Sequence, residues 1–314
     1  MKETVLVTGG AGYIGSHTAV ELIQAGFDVV IADNLSNSDL QAVEGVRRIT
    51  SAEVPFEQID CCDLQAMRRL FERHEFRSVI HFAASKAVGE SVAEPLKYYR
   101  NNLLSFLNVV ELMCDFGRPN ILFSSSCTVY GEPDAQPVTE QTPRKPATSP
   151  YGNTKQMCED ILRDSLAAYE GLKGIALRYF NPIGAHPSAL IGELPRGVPQ
   201  NLVPYITQTA AGIRECLSVF GDDYPTPDGS NIRDYIDVVD LAKAHVAAIR
   251  RMIEDRNKAR YEVFNIGTGR GVSVLELVHR FEQVNRLKLN YKIVGRRAGD
   301  IAVSYTHLTL PTIR

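Results

Sequence analysis

The 314-residue chain contains no tryptophan, and its six cysteines show neither C-x-x-C spacing nor the cysteine–histidine spacing of metal ligands. These absences argue against a structural zinc site and against a disulfide framework, so we expect the cysteines to be reduced and buried. The seven histidines are scattered and form no H-E-x-x-H pattern. We therefore assign no metal.

The sequence also lacks a large excess of charge of either sign. A formal net charge of −3 provides no general attraction to nucleic acid. No apolar run is long enough to span a bilayer, and the first residues do not show the order of a secretory signal. We expect a cytosolic protein with no nucleic-acid or membrane partner. The length predicts one large domain or two unequal ones.

A glycine-rich turn follows the first short β-branched run, at residues 4–8, and a helical pattern follows the turn. In such a turn Gly9 allows the tight bend, Gly12 lets the backbone approach a pyrophosphate, and Gly15 permits close packing of helix and strand. The following helix offers N–H groups and the positive end of its dipole. This order predicts the entry to a dinucleotide-binding fold.

The second predicted strand, at residues 28–32, ends at Asp33. An acid at this place accepts the hydroxyls of the adenosine ribose and repels a 2′-phosphate. Asn34 follows instead of an arginine. The pattern therefore favours NAD over NADP.

Strands and helices then continue to alternate, with polar or small residues after each strand. Predicted strands at 54–59, 78–84, 120–123 and 174–180 bring these residues to one edge: Asp60, Cys61, Ala83, Lys86 and Ser126. The predicted fold is α/β, a doubly wound parallel sheet with ligands along that edge. After residue 180 proline- and glycine-rich loops predominate, which indicates a smaller, discontinuous C-terminal substrate domain.

We place the NAD-binding domain at residues 1–180, with part of 236–268 returning to it. The second domain is predicted at 181–235 and 269–301.

Tyr151 and Lys155 are four residues apart in a segment that begins with Ser149, a good N-cap, and Pro150, a good first helical residue. On a helix both side chains lie on one face, which predicts an ammonium beside a phenol. A phenol acting as a base near neutral pH needs its pKa lowered by about 3 units, or about 4 kcal/mol. One cation at about 4 Å, with an effective dielectric constant of about 20, supplies about that much, so Lys155 with the positive nicotinamide of NAD as a second cation is sufficient in principle.

Six motifs together carry a family resemblance. They are TGGAGYIGSH at 8–17, KAVGES at 86–91, FSSSCTVYG at 123–131, SPYGNTK at 149–155, RYFNP at 178–182 and GRRAGD at 295–300. By these motifs the chain resembles the extended short-chain dehydrogenase/reductase family and, within it, the UDP-glucose (UDP-galactose) 4-epimerases. The resemblance covers residues 4 to about 301 and is more specific than the glycine turn alone.

The resemblance implies a role for each matching residue. Tyr151, Lys155 and Ser126 would be catalytic, and Ser126 and Tyr151 would meet the reacting sugar hydroxyl. NAD would contact Tyr13, Ile14, Asp33, Asn34, Asn37, Ser38, Asp60, Cys61, Phe82, Lys86, Asn101, Tyr151, Lys155 and Phe180. The UDP part of the substrate would contact Asn181, Asn201, Leu202, Phe220, Arg233, Arg297 and Asp300.

The implied reaction interconverts UDP-galactose and UDP-glucose through a 4-keto sugar with tightly bound NAD. Dehydratases and decarboxylases of this fold carry carboxylates directly after the active-site serine or threonine, where this chain has Cys127 and Thr128. Two alternatives remain open: another NAD-dependent nucleotide-sugar epimerase, acting on UDP-GlcNAc or a UDP-pentose, and a non-catalytic NAD(H)-binding protein.

Two departures from the family pattern stand out. Asp237 occupies a place where many family members have histidine, which we interpret as a tolerated variation. Residues 302–314 match nothing expected, so we interpret them as an atypical tail, truncated or replaced. The small Ser304 falls where relatives admit or exclude N-acetylated sugars.

The family also implies a homodimer, formed by the helices beginning near Leu96 and Pro150. Their apolar faces include Leu103, Leu107, Val110, Met157, Ile161 and Leu162. Those faces are equally compatible with a place in the core.

Overall fold

The computed structural model describes residues 3–297 and 300–307. The strands are β1 Thr4–Thr8, β2 Asp28–Asp33, β3 Phe56–Gln58, β4 Ser78–His81, β5 Asn120–Ser126, β6 Lys173–Tyr179, β7 Asn181–Ile183, β8 Leu217–Phe220, β9 Ile232–Asp237, β10 Tyr261–Ile266, β11 Gly271–Ser273, β12 Tyr291–Val294 and β13 Val303–Ser304. The helices are α1 Tyr13–Gln24, α2 Leu40–Thr50, α3 Leu64–Arg73, α4 Val88–Ala93, α5 Pro95–Asp115, α6 Pro150–Ala168, α7 Leu202–Ala210, α8 Val238–Ile253 and α9 Val274–Asn285.

Seven strands form one parallel sheet in the order β10-β6-β5-β4-β1-β2-β3. The chain moves outward in one direction from β1 to β3 and in the other from β4 to β10. The predicted doubly wound sheet is confirmed. The order in which the chain adds strands reverses between β1 and β4. In open α/β sheets, ligands bind at the carboxyl ends of the strands beside such a reversal.

Both faces of the large sheet are covered by helices, so apolar residues of its central strands are buried on both faces. In β1, Val5 and Val7 belong to one core layer and Leu6 to the other, and all three are fully buried. Helices α1 and α8 contribute to the first layer, while α3, α5 and α6 contribute to the second. Burial on both faces is what parallel strands require, because their crossover helices pack on each side.

The remaining strands build a smaller part of the molecule. β9 pairs with β7, β11 and β13, and β8 pairs with β12. Helices α7 and α9 pack there around a separate apolar cluster that includes Ile206, Val219 and Val278.

Part of the segment that we expected to be an atypical tail lies against this region. β13 pairs with β9, and Thr306, which is fully buried, bridges to Val138. Residues 308–314 of the predicted tail, like Ala298 and Gly299 of the GRRAGD motif, lie outside the described residues.

Several sequence predictions need correction. The fourth strand ends at His81 and not at residue 84, and the fifth strand continues to Ser126. The third strand is shorter than the predicted 54–59, because only residues 56–58 pair with β2. The six cysteines are free, but burial is confirmed only for Cys61 and Cys158; the other four are half-buried. Among the residues that the structure describes, no helix is long and apolar enough to cross a membrane.

Candidate active site

In the glycine turn, backbone segments lie too close together for side chains. A Cβ on Gly15 would lie 2.4 Å from the carbonyl oxygen of Gly9, and Gly9 itself has a φ of +71°. Helix α1 starts directly after Gly12, which has no side chain to cap it, and its first turn carries no acidic residue. The N-terminal N–H groups of α1 therefore face an anion site that the helix itself does not fill.

Asp33 ties the glycine turn to the loop after β2. One carboxylate oxygen accepts a hydrogen bond from the backbone N–H of Ala11 at 3.1 Å, and the other accepts from the Ser38 hydroxyl at 2.7 Å. Next to it, the amide of Asn34 donates to Asp60 at 3.2 Å. Asp33 was predicted to contact ribose alone, whereas here it also holds two binding loops together.

The other predicted cofactor residues gather along the same edge of the sheet. Phe82 packs against His245, with ring centroids 4.9 Å apart, and Ala83 lines the back of Gly9. Asn101 donates to Asn102, which in turn donates to the Thr154 hydroxyl at 3.1 Å. Asn102, which sequence reasoning did not assign, thus connects α5 to α6. Cys61 is buried in the second core layer and Phe180 in a small separate cluster with Val129 and Tyr130, while Ile14 is half-buried and Asn37 is exposed on the loop after β2.

Helix α6 begins as its sequence predicts. The Ser149 hydroxyl accepts a hydrogen bond from the Gly152 N–H at 3.2 Å, and Pro150 is the first helical residue. This cap fixes where the helix starts and therefore which residues face the sheet.

Three successive turns of α6 attach to three consecutive residues of β5. Tyr151 faces Ser126, whose hydroxyl acts to lower the pKa of the phenol. The Lys155 ammonium donates to the carbonyl oxygen of Ser124 at 2.6 Å. One turn later, the Glu159 carboxylate accepts from the Ser125 hydroxyl at 2.6 Å. The spacing of Tyr151, Lys155 and Glu159, four residues each, is the signal by which this third residue can be found.

A buried ion pair supports that attachment from behind. Arg178 of β6 donates to both oxygens of Glu159, at 2.8 and 2.5 Å, and both side chains are almost fully buried. The same guanidinium donates to the Tyr130 hydroxyl at 3.0 Å. Such bidentate geometry fixes the carboxylate that in turn fixes Ser125.

Burial dominates the electrostatics of the Tyr151–Lys155 pair. It raises the pKa of Tyr151 to about 12, although the Ser126 hydroxyl acts in the opposite direction. Burial also lowers the pKa of Lys155 to about 8. The ammonium lies 5.8 Å from the centre of the Tyr151 ring and donates to Ser124 instead. The expected drop in the phenol's pKa is therefore not produced by Lys155 alone, because burial outweighs one cation at that distance.

A cavity of about 190 Å³ opens between the large sheet and the smaller part of the molecule. Its lining includes these predicted residues: Lys86, Phe180, Asn181, Asn201, Arg233, Arg297 and Asp300. Cys127, Thr128 and Ser304 also line it. A wider depression of about 510 Å³ beside α1 and α8 contains none of the predicted residues.

Two arginines converge on one acid in this cavity. The Arg297 guanidinium donates to Asp300 at 2.9 Å, and that of Arg233 lies 3.7 Å from the same carboxylate. Arg297 also lies over the ring of Phe220, 5.5 Å from its centre. Leu202 is the first residue of α7, directly after Asn201. A pair of guanidiniums held by one carboxylate keeps a net positive charge, which suits a diphosphate.

Glu193 has no signal in the sequence, yet it joins two predicted residues. Its carboxylate accepts from the Lys86 ammonium at 3.0 Å and from the Asn201 amide at 2.5 Å. Asp237, the departure from the family pattern, caps α8 by accepting from the Val239 N–H at 2.8 Å. Aspartate is a preferred N-cap residue, which explains why this variation is tolerated.

The family model described as the NAD dependent epimerase/dehydratase family matches residues 5–267. The chain belongs to this family. Among its relatives, UDP-glucose 4-epimerase of Dictyostelium discoideum is 51% identical over 305 residues, covering 97% of this chain and 88% of the relative. UDP-glucose 4-epimerase of Bacillus subtilis is 52% identical over 301 residues, covering 96% and 88%.

Solved structures agree with this membership. The crystal structure of UDP-glucose 4-epimerase from Bifidobacterium longum, in complex with NAD+ and UDP, matches with a TM-score of 0.93 at 48% identity. The match covers 96% of this chain and 89% of that one. As a member of the NAD-dependent epimerase/dehydratase family, the chain takes NAD as its cofactor. The start of α1 at Gly12, which has no side chain, fits the close approach of a dinucleotide.

Proposed function

We propose that this protein is a UDP-glucose 4-epimerase, an isomerase that interconverts UDP-glucose and UDP-galactose with bound NAD. The observation that carries the proposal is that the cavity beside Ser126 is lined by Cys127 and Thr128, residues without a carboxyl group. Cys127 and Thr128 follow Ser126 and line the cavity, so elimination of water has no carboxylic acid or base there. Curated relatives at about half identity are UDP-glucose 4-epimerases.

The cofactor role is assigned to the edge of the large sheet. The glycine turn and α1 would hold the pyrophosphate of NAD, and Asp33 would hold the adenosine ribose while keeping Ser38 and Ala11 in place. When bound, NAD exchanges a hydride with C4 of the sugar and, in its oxidised form, adds the positive charge of the nicotinamide ring. Lys155, on the face of α6 that carries Tyr151, would add a second positive charge beside the nicotinamide ring.

Tyr151 would act as the base that takes the proton from the sugar 4-hydroxyl. Its pKa of about 12 is too high for this task near neutral pH, so a further cation besides Lys155 is needed in the working site. Lys155 stays placed for this work because Ser124 anchors its ammonium. Ser126 would donate to the same sugar oxygen or pass the proton on.

Substrate binding would be strongest at the UDP part. Arg233 and Arg297 would clamp the diphosphate, with Asp300 fixing their forks. Asn181, Asn201, Leu202 and Phe220 would complete that end. A tight grip on the nucleotide and a loose grip on the hexose would let the 4-keto sugar turn over and take the hydride on its other face.

The test is the substitution Tyr151→Phe, with Tyr169→Phe as the matched control. Tyr169 lies at the other end of α6 and is 52% exposed. Tyr151→Phe should keep NAD bound and reduce kcat by roughly 10²–10⁴-fold, because only the transferable proton is lost. The control should be unchanged in both respects. Near wild-type epimerisation by Tyr151→Phe would contradict the proposal.

Product analysis defines the substrate range. The protein is incubated with UDP-galactose, UDP-GalNAc and UDP-xylose in turn. UDP-galactose should be converted to its C4 epimer, UDP-glucose. A protein that binds NAD but converts none of the three would be a non-catalytic binding protein.

We further propose a homodimer formed through α5 and α6. Leu104, Leu107 and Met157 are 40%, 44% and 38% exposed, which leaves an apolar surface on these helices. Val110 and Leu162 of the predicted faces are buried within the protomer, so they belong to its core. Leu107→Lys should lower the mass measured by light scattering at micromolar protein, whereas a dimer unaffected by this change would contradict the interface.

The domain division is proposed as the sequence predicts it, with 1–180 and part of 236–268 binding NAD. Its support is that α8 packs on α1 and that β10 lies in the large sheet. Residues 181–235 and 269–301 would form the UDP-sugar-binding domain. A cytosolic location stays a prediction.

A further inference from the structure

One segment crosses from the cofactor edge to the UDP cavity. Residues 184–201, here called the strap, connect β7 to α7. At its start the carbonyl oxygen of Gly184 accepts from the Tyr13 hydroxyl at 2.7 Å. Further on, Arg196 donates to the backbone oxygen of Ser38 at 2.6 Å. The strap therefore touches two residues assigned to NAD before it reaches α7.

The strap also fits closely against α2. A Cβ on Gly45 would lie 2.5 Å from the side chain of Ile191, so this glycine is needed for the contact. Ile191 is buried there. The strap is therefore packed down over the loop after β2.

Glu193 is the charged centre of the strap. Its side chain is 11% exposed. It accepts hydrogen bonds from Lys86, on the side of the cofactor residues, and from Asn201, on the side of the UDP residues. Lys86 lies 5.9 Å from the centre of the Tyr13 ring, so a third cofactor residue borders this group. One carboxylate thus contacts side chains that are assigned to two binding sites.

Asn201 shows what the contact does to α7. It stands at the N-cap of α7, but its side chain makes no capping hydrogen bond. Its amide nitrogen donates to Glu193 instead. The first turn of α7 therefore takes its position from Glu193 rather than from its own cap.

We propose that Glu193 is a positioning residue that couples the retention of NAD to the binding of UDP. The inference rests on the proposed function, since it assigns UDP to the cavity beside Asn201. A ligand that orders Asn201 and the start of α7 also orders Glu193, which then holds Lys86 and keeps the strap on Tyr13 and Ser38. The strap must lift for the dinucleotide to leave, so UDP slows that step. Linkage makes the effect on binding reciprocal.

The test measures exchange of bound NAD for labelled NAD in the holoenzyme, with and without saturating UDP. In the wild type, UDP should slow the exchange by about fivefold or more, a coupling in the usual range. In Glu193→Gln the slowing should fall below about twofold, because the neutral amide no longer pairs with the Lys86 ammonium. Glu215→Gln, an exposed glutamate outside the strap, is the matched control and should behave as wild type.

A second variant separates coupling from a structural fault. Asn201→Ala should also abolish the slowing of NAD exchange by UDP. The double variant Glu193→Gln/Asn201→Ala should lose no more of this slowing than either single variant. Unchanged thermal unfolding and NAD content at purification show that the variants are folded. The inference is overturned if UDP slows NAD exchange in Glu193→Gln as much as in the wild type. It is also overturned if the losses of this slowing in the two single variants add up in the double variant. A wild type that epimerises no UDP-sugar and does not bind UDP overturns the proposed function instead.

Discussion

Replacing Glu159 alone should destabilise the protein more than replacing Glu159 and Arg178 together. The two side chains are 1% and 5% exposed, and the guanidinium donates to both carboxylate oxygens. Glu159→Gln is nearly isosteric and still accepts from Ser125. It removes the charge opposite Arg178, and because a guanidinium is not deprotonated in proteins, this buried cation stays charged without its partner.

The magnitude follows from the cost of a buried charge without a partner. Breaking such a pair by removing one member costs about 3–5 kcal/mol, whereas removing both charges is close to neutral. With an unfolding entropy of about 2.1 cal/mol/K per residue, that cost lowers Tm by about 5–8 °C for a chain of this length. Glu159→Gln/Arg178→Met should recover most of the loss, because methionine fills the space and leaves no charge.

The assay is thermal unfolding of NAD-saturated protein for the two single variants and the double variant. Glu57→Gln serves as the control, since Glu57 forms an ion pair with Arg73 at 2.8 Å that is substantially exposed. Exposed pairs contribute about 0–1 kcal/mol, so the control should hardly move. A Glu159→Gln protein that unfolds with the control, or a double variant less stable than either single one, would refute the reasoning.

Three further outcomes follow from the site. Gly15→Ala should weaken NAD binding by roughly tenfold or more, measured by calorimetry, because the new Cβ would meet the Gly9 carbonyl oxygen; wild-type affinity would contradict the close approach. Arg297→Ala should raise KM for the UDP-sugar by about 10–100-fold with a smaller change in kcat, since a charged hydrogen bond contributes about 1.5–3 kcal/mol; an unchanged KM would remove Arg297 from the diphosphate site. Lys155→Met in NAD-free protein should be more stable than wild type near neutral pH, since burial lowers the pKa of Lys155 from 10.5 to about 8. Between pH 8 and pH 10.5 the unfolded wild-type chain binds more protons than the folded one, so the free energy of unfolding of the wild type should rise with pH over about this range. In urea titrations the difference in the free energy of unfolding between Lys155→Met and wild type should therefore shrink from about pH 8 to about pH 10.5. A difference that does not shrink would contradict the lowered pKa of Lys155.

Most of the fold was predictable because its determinants are local. A β-branched run followed by glycines and an apolar helical period defines β1, its turn and α1 within about twenty residues. The N-cap Ser149 and the first-turn Pro150 fix the start of α6, and so the face that carries Tyr151 and Lys155. Motif resemblance then identified the family, which the relatives confirm.

What the sequence could not predict depends on partners far away in the chain. Glu193 meets Lys86 across more than a hundred residues, and a lone glutamate in a loop has no period or spacing to reveal that contact. Asp33 also accepts from the N–H of Ala11, 22 residues earlier in the chain, and its position at the end of β2 does not reveal that contact.

The Tyr151–Lys155 pair shows the division most clearly. Spacing on a helix determined that phenol and ammonium share one face, because 3.6 residues make a turn. Only the tertiary structure decided that the ammonium binds the Ser124 carbonyl and that burial raises the phenol's pKa. Desolvation depends on everything packed around a group, and that packing exists only once β5, β6 and α6 have come together.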